Sequence, residues 1–424
     1  MSTRPQRKIS IVRRIGPGFI TGAADDDPSG IATYSQTGAM FGYRQLWLAI
    51  FSLPFMIAIQ EMCGRIGVVT GRGLSSVIRK YYSKHLLFAV VGVLLVANSI
   101  NIGADLGAMA SVAQLLFGLP VVVWLIGFTV LILLLEVFVS YPKYARFLKY
   151  LSLSLLAYFV TAVILKQDWR TVAISSLIPQ LIFSKAYLMN VLAFLGTTIS
   201  PYLFFWEADE EVEEEIERHE LKAMGVGKPK FKMADLAGMR IDTVVGMFFS
   251  NLITFFIILT TAATLHSIGI TQIDTASQAA IALRPLAGDL AFFLFAIGIL
   301  GTGLLAVPIL AGSAAYAVTE AVNWKGGLSM KFRQAHGFYG VMAISMLIGL
   351  CVNFIGIPPF KMLYYTAVLG SFTAPLLLVV IMRISSNTRI MGRHTNSWVS
   401  NVFGWGITVI MSIASLTFLV LQFT

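Results

Sequence analysis

Eleven stretches of mostly apolar residues, each about as long as a helix needs to cross the hydrocarbon core of a bilayer, run through this 424-residue sequence. They lie near 15–41, 45–65, 86–115, 119–140, 147–166, 187–206, 241–265, 287–318, 337–357, 362–383 and 402–423. In lipid every backbone N–H and C=O must be satisfied internally, which a helix does within its own segment. The expectation is an all-α integral membrane protein with the lipid bilayer as its solvent. Composition agrees: 57% of residues are apolar and 12% charged, against roughly 25% charged in soluble domains. Ordinary cytosolic enzymes, disordered scaffolds and disulfide-rich modules are excluded. Cys63 and Cys351 sit far apart in apolar stretches and indicate neither a disulfide framework nor a zinc site.

The net charge of +10 would suggest nucleic acid in a soluble protein. Here it reports topology. With the N-terminus inside, 25 of the 31 Lys and Arg residues fall in inner segments and six in outer ones. The positive-inside rule then gives a multi-pass plasma (inner) membrane protein, N-terminus cytoplasmic and C-terminus external, with no nucleic-acid partner. The basic stretch Arg4–Arg14 has no short apolar core followed by a cleavage site, so it is not read as a removable signal. All five histidines lie at span ends or in loops, and no phosphate-cradling glycine loop with its lysine appears. No cofactor and no enzymatic activity are expected. The longest hydrophilic stretch follows span six, and residues 207–217 hold eight carboxylates in eleven positions. It reads as a solvated helical extension, charge runs usually being solvated faces, with a regulatory divalent-ion site as the alternative.

Polar groups inside spans are costly in lipid and functional by default. Span one contains Asp25-Asp26-Asp27-Pro28-Ser29-Gly30, which no regular lipid-facing helix accommodates. Pro28 removes a backbone donor and disfavours helical geometry at Asp27. Span six carries Gly196-Thr197-Thr198-Ile199-Ser200-Pro201-Tyr202, a second interruption. Breaks in spans one and six of eleven are the pattern of five spans repeated in inverted orientation, with substrate held at both breaks. Asp27, nearest the break, is the expected ligand. Asp25 and Asp26 either face an aqueous vestibule or pair with neighbouring spans. In span three, Asn98, Asn101 and Asp105 share a helical face, which either lines a pore or proton relay or glues helices together. Glu61 and Arg65 form an i,i+4 pair, and Glu136, Asn251, Thr366 and Ser371 are weaker candidates.

Gly16-Pro17-Gly18-Phe19, Asp27-Pro28, Ile31, Gly38-Ala39, Leu195-Gly196 and Pro201 together resemble the NRAMP family of divalent-metal transporters, and the likeness covers nearly the whole chain. The resemblance implies a LeuT-type fold of two inverted five-span repeats plus an eleventh helix. The chain then divides into a cytoplasmic N-terminus (1–14), a first repeat (15–166), a second repeat (187–383) and an extra transmembrane helix (402–423). It also implies metal binding between the unwound centres of spans one and six. Two motifs depart from the family. Its Asp-Pro-Gly-Asn becomes Asp27-Pro28-Ser29-Gly30, which exchanges an asparagine ligand for Gly30. Its Met-Pro-His becomes Ser200-Pro201-Tyr202, which replaces a thioether by a hydroxyl and the proton-linked histidine by a phenol. In span three only Asp105 remains where relatives carry two carboxylates.

An all-oxygen set of Asp27, Thr197, Ser200 and freed carbonyls favours hard cations, and a loose site suits Mg²⁺, which gives up water reluctantly. The expected substrate is a small inorganic ion, a hard divalent cation with Mg²⁺ before Mn²⁺, moved by alternating access, with Gly30 and Tyr202 also at the site. The other reading is an oxyanion such as bicarbonate, bound at the positive ends of the broken helices and possibly proton-coupled.

Overall fold

Long apolar runs without internal caps become long helices, and the two interrupted ones become pairs of short helices. The computed structural model describes residues 16–139, 153–165, 167–182 and 184–423. Span one is α1 (Pro17–Asp25) followed by α2 (Pro28–Phe41). Span two is α3 (Trp47–Thr70), and a short amphipathic helix α4 (Leu74–Tyr81) leads into span three, α5 (Lys84–Phe117). Span four is α6 (Val121–Phe138), and span five is described only from residue 153, with α7 at Leu156–Ile164. The first part of that expected span, like residues 1–14, lies outside the described residues. An unanticipated helix, α8 (Trp169–Leu177), precedes span six, which is α9 (Lys185–Thr198) and α10 (Pro201–Glu217). Spans seven to eleven are α11 (Met233–Thr264), α12 (Ala291–Val322), α13 (His336–Val352), α14 (Pro359–Ser385) and α15 (Trp398–Phe423). Among the described residues nine helical segments are long and apolar enough to cross a membrane.

Packing follows the inverted repeat. Both halves of span one lie against α11, the seventh span, and the second half of span six lies against α3, the second. A shift of five spans exchanges these two pairs, so they are the same contact made twice. The crossing of α1 with α11 is tight because it is built from glycines. A Cβ on Gly22 would fall on the Gly246 backbone, and one on Gly246 would fall on the Gly18 carbonyl. Small residues at such crossings let backbones touch and give membrane helices their packing energy.

The acidic run 207–217 is helical, as expected, but it is not solvated. It completes α10, which packs against α1, α3 and α12, and Glu207, Asp209, Glu211, Glu213 and Glu215 are all buried. Among the described residues only Arg218 forms an ion pair within the run, with Glu214 at 2.5 Å. Tertiary packing overrode the usual rule that a charge run faces water.

Candidate ion-binding site

Both breaks are built from a cap residue followed by proline. Asp27 has extended geometry, ends the irregular turn after α1, and caps α2 by accepting a 2.6 Å hydrogen bond from the Gly30 N–H. Pro28 occupies the first helical position, where a missing N–H costs nothing. Ser200 takes the same place before Pro201 at the start of α10, and its hydroxyl donates to the Thr197 carbonyl. Two helix ends and two helix starts therefore meet in mid-bundle.

Between them lies a cavity of about 30 Å³, room for about two water-sized occupants. Asp27 and Ser29 line it from the first break, and Gly196, Thr197, Ser200 and Tyr202 from the second. Asn98 and Asn101 enter from α5, Leu310 from α12, and Thr366, Gly370 and Thr373 from α14. No Lys, Arg or His is among the lining residues. Asp27 Oδ1 is held by the cap bond, and Oδ2 accepts from Asn101 Nδ2 at 3.3 Å. That bond leaves the Asn101 Oδ1 atom buried without a hydrogen-bond partner, an oxygen free to meet a cation. Tyr202 donates its hydroxyl proton to the Ala24 carbonyl at 3.0 Å, which ties the second break to the first.

The remaining expected residues fall outside the cavity wall. Asp25 and Asp26 turn to α11 instead of a vestibule, where the Ser250 hydroxyl donates to Asp25 Oδ2 at 2.9 Å and to Asp26 Oδ1 at 3.3 Å. Gly30 serves Asp27 through its N–H and is not itself a lining residue, although a Cβ there would lie 3.5 Å from Asp27 Oδ1. The same Cβ would stand 3.1 Å from the Asp25 carbonyl and 3.2 Å from the Tyr34 ring. Asp105 is fully buried, with both carboxylate oxygens lacking hydrogen-bond partners, and stands behind the cavity wall, close enough to interact electrostatically with Asp27. Within the span-three face, Asn98 donates to the Leu310 carbonyl and Ser313 hydroxyl, so it glues helices as well as lining the wall. Glu61 and Arg65 form their pair at 3.1 Å, and Arg240 joins at 2.7 Å. Sequence reasoning ranked Thr366 low and missed Gly370 and Thr373. Their spacing of four and then three residues, one face of a helix, was the available signal.

A wider cavity of about 210 Å³ opens further along the same helices, lined by Gln36 and Met40 of α2, Met189 of α9, and Lys361 and Tyr364 of α14. A 3.1 Å ion pair between Lys361 and Asp274 stands at its edge. On the opposite side of the bundle α1, α10, α11 and α12 are packed closed. Asp242 of α11 accepts from the Gly16 and Phe19 N–H groups at 3.1 Å each, and Thr21 donates to Glu207 at 2.5 Å.

The family model for natural resistance-associated macrophage protein-like proteins matches residues 18–421. The chain belongs to the Nramp family. Among curated relatives, a divalent metal cation transporter MntH of Klebsiella pneumoniae is 26% identical over 415 residues, 97% of this chain and 94% of that one. A protein of the same description from Yersinia pestis is 25% identical over 414 residues, covering 97% and 95%. The fold is similar to that of the Eremococcus coleocola manganese transporter crystallised with an aromatic bis-isothiourea substituted compound. That match has a TM-score of 0.79 at 15% identity and covers 98% of this chain and 88% of the other. It is also similar to Mhp1, a nucleobase-cation-symport-1 family transporter in a closed conformation, with a TM-score of 0.61 at 14% identity and coverage of 95% and 92%. This Nramp-family chain thus has the LeuT-type fold of two inverted five-span repeats plus an eleventh helix.

Proposed function

We propose that the chain is a secondary transporter of a divalent metal cation, Mg²⁺ before Mn²⁺, bound at the two helix breaks and moved by alternating access. The observation that carries this reading is the cavity itself. It presents one carboxylate, Asp27, fixed by Gly30 and Asn101, beside neutral oxygens only. Asp27, Ser200 and Thr197 are the proposed ligands, and the free Asn101 amide oxygen offers what position 30 lacks. No sulfur or nitrogen ligand lines the wall, a donor set suited to hard cations. Among the described residues no three His, Cys, Asp or Glu side chains converge on a metal. That leaves room for water in the coordination shell, which suits Mg²⁺. The names of the MntH relatives support the cation class.

The oxyanion reading gains no such support. The cavity has a carboxylate and no basic side chain, and the N-terminus of α2, the positive end an anion would seek, is already capped by Asp27.

The wider cavity marks the entry side, and the closed packing of α1 and α10 marks the exit. The basic loops lie on the exit side, which we take as cytoplasmic by the positive-inside rule. The division into repeats at 15–166 and 187–383 follows the same proposal. Uptake into proteoliposomes, with Mg²⁺, Mn²⁺ and bicarbonate supplied separately, tests it. Metal uptake should appear with the wild type and fall at least tenfold in Asp27→Ala. Loss of Asp27 removes a helix cap worth about 0.5–2 kcal/mol, so the variant should still fold. Uptake within twofold of wild type in a folded Asp27→Ala protein would remove Asp27 from the site.

A further inference from the structure

The wider cavity, on the entry side, has an almost uncharged wall. Of the residues lining it only Asp274 and Lys361 carry charge, the others being apolar, aromatic or amide side chains. These two form the 3.1 Å ion pair, and each is about half exposed. Among the described basic residues assigned to the outer side, only Lys361 lines this cavity.

Stability does not account for either charge. Lys361 is the third residue of α14, and a cation in the first turn of a helix faces the positive end of its dipole. Asp274 belongs to the loop 270–275, which is held on α2 without the ion pair. Gln36 Nε2 donates to the Thr271 carbonyl at 3.0 Å, and Gln36 Oε1 accepts from the Ile273 N–H at 2.9 Å. The Asp274 N–H itself donates to Gln278 Oε1 at 2.7 Å, and the Ile273 side chain is buried. An ion pair between half-exposed groups adds little to a loop anchored in this way.

What the pair does alter is the field in the entry cavity. A cavity wall with charge of one sign raises or lowers the local concentration of an ion, and with it the rate of entry. Lys361 precedes Thr366, which lines the small cavity, by five residues of α14, about 8 Å along the helix axis. In dilute salt a charge is felt over about 30 Å, so an ion bound for Asp27 passes within range of both groups. We propose that Asp274 and Lys361 set how readily the divalent cation enters. Asp274 draws the cation in, Lys361 holds it back, and their pairing keeps the entry cavity near neutral. This rests on the cation reading of the small cavity.

Initial rates of Mn²⁺ uptake into phosphatidylcholine vesicles holding the full chain, at about 10 mM ionic strength, test the proposal. Lys361→Gln should lower KM at least twofold and Asp274→Asn should raise it at least twofold, with the maximal rate little changed in either. The double variant should return to the wild-type KM. At about 1 M salt, where the screening length falls to about 3 Å, both shifts should vanish. A structural clamp behaves differently, because losing either partner breaks it. KM shifts of the same sign in both single variants, or shifts that survive high salt, therefore overturn the proposal. So does Mn²⁺ uptake that neither substitution alters, a result that leaves the cation reading standing. Bicarbonate uptake whose KM moves with the two signs exchanged would instead overturn the cation reading itself.

Discussion

At the scale of single residues, the site departs from its family at the positions where ligand softness is decided. Ser200 lines the cavity and presents a hydroxyl where the family motif has a thioether. Ser200→Met should therefore move selectivity toward softer ions such as Cd²⁺, by severalfold in competition uptake against Mg²⁺. Unchanged selectivity in a folded variant would mean that the ion does not contact this position. A side chain at position 30, where the family motif has asparagine, would crowd the Asp25 carbonyl at 3.1 Å and the Tyr34 ring at 3.2 Å while standing 3.5 Å from Asp27 Oδ1. Asn101, on another span, already provides an amide. Asp27 was legible as the candidate ligand, now the proposed one, because an aspartate before a proline in mid-membrane has few structural uses. The partners that fix it, Gly30 by its N–H and Asn101 by its amide, required the fold.

At the scale of elements, the breaks explain how a membrane helix tolerates polar backbone. Each break places a proline at the start of the second half-helix, which removes one donor from its first turn, and at the first break Asp27 also satisfies the Gly30 N–H. The α1–α11 crossing then sets how closely the first half-helix can lie against its neighbour. Gly246→Leu puts a side chain into the Gly18 carbonyl and should cost about 1–3 kcal/mol by overpacking, seen as a lower thermal midpoint in detergent. An unchanged midpoint would show that α1 is held by its polar contacts, Asp242 to its N-terminus and Glu207 to Thr21, more than by this crossing. The acidic half of α10 shows the limit of reading elements from local sequence. Its helix was foreseeable, but its burial was not, since eight carboxylates in eleven positions argue for water until α1, α3 and α12 are seen around them.

For the whole molecule, polarity is distributed so that one small cavity sits between a wider cavity and a closed, acid-lined side of the bundle. The proposed carrier should run without tight proton coupling. No histidine lies within the cavity wall. The phenol of Tyr202, at the family's histidine position, is engaged with the Ala24 carbonyl. Asp105 is not part of the cavity wall. Cation entry would then follow its electrochemical gradient, with a negative-inside potential contributing about 2.3 kcal/mol per charge per 100 mV. Intravesicular pH recorded during Mg²⁺ or Mn²⁺ uptake at clamped voltage should stay level. Acidification that scales with metal influx and disappears in Asp105→Asn would establish coupling.

The sequence by itself determined the membrane class, the positions of the spans and the two breaks. Each follows from local physics: hydrocarbon demands an apolar run of fixed length, and proline after a cap residue starts a helix wherever it stands. Tertiary structure alone decided which polar groups meet. Asp25 and Asp26 could face water or protein with equal local logic, and only the position of Ser250 on span seven turned them inward. Asp209 could equally have been solvated, and only the packing of α10 against α3 and α12 buried it. Such contacts join residues more than a hundred positions apart, and no local pattern encodes the distance between two helices.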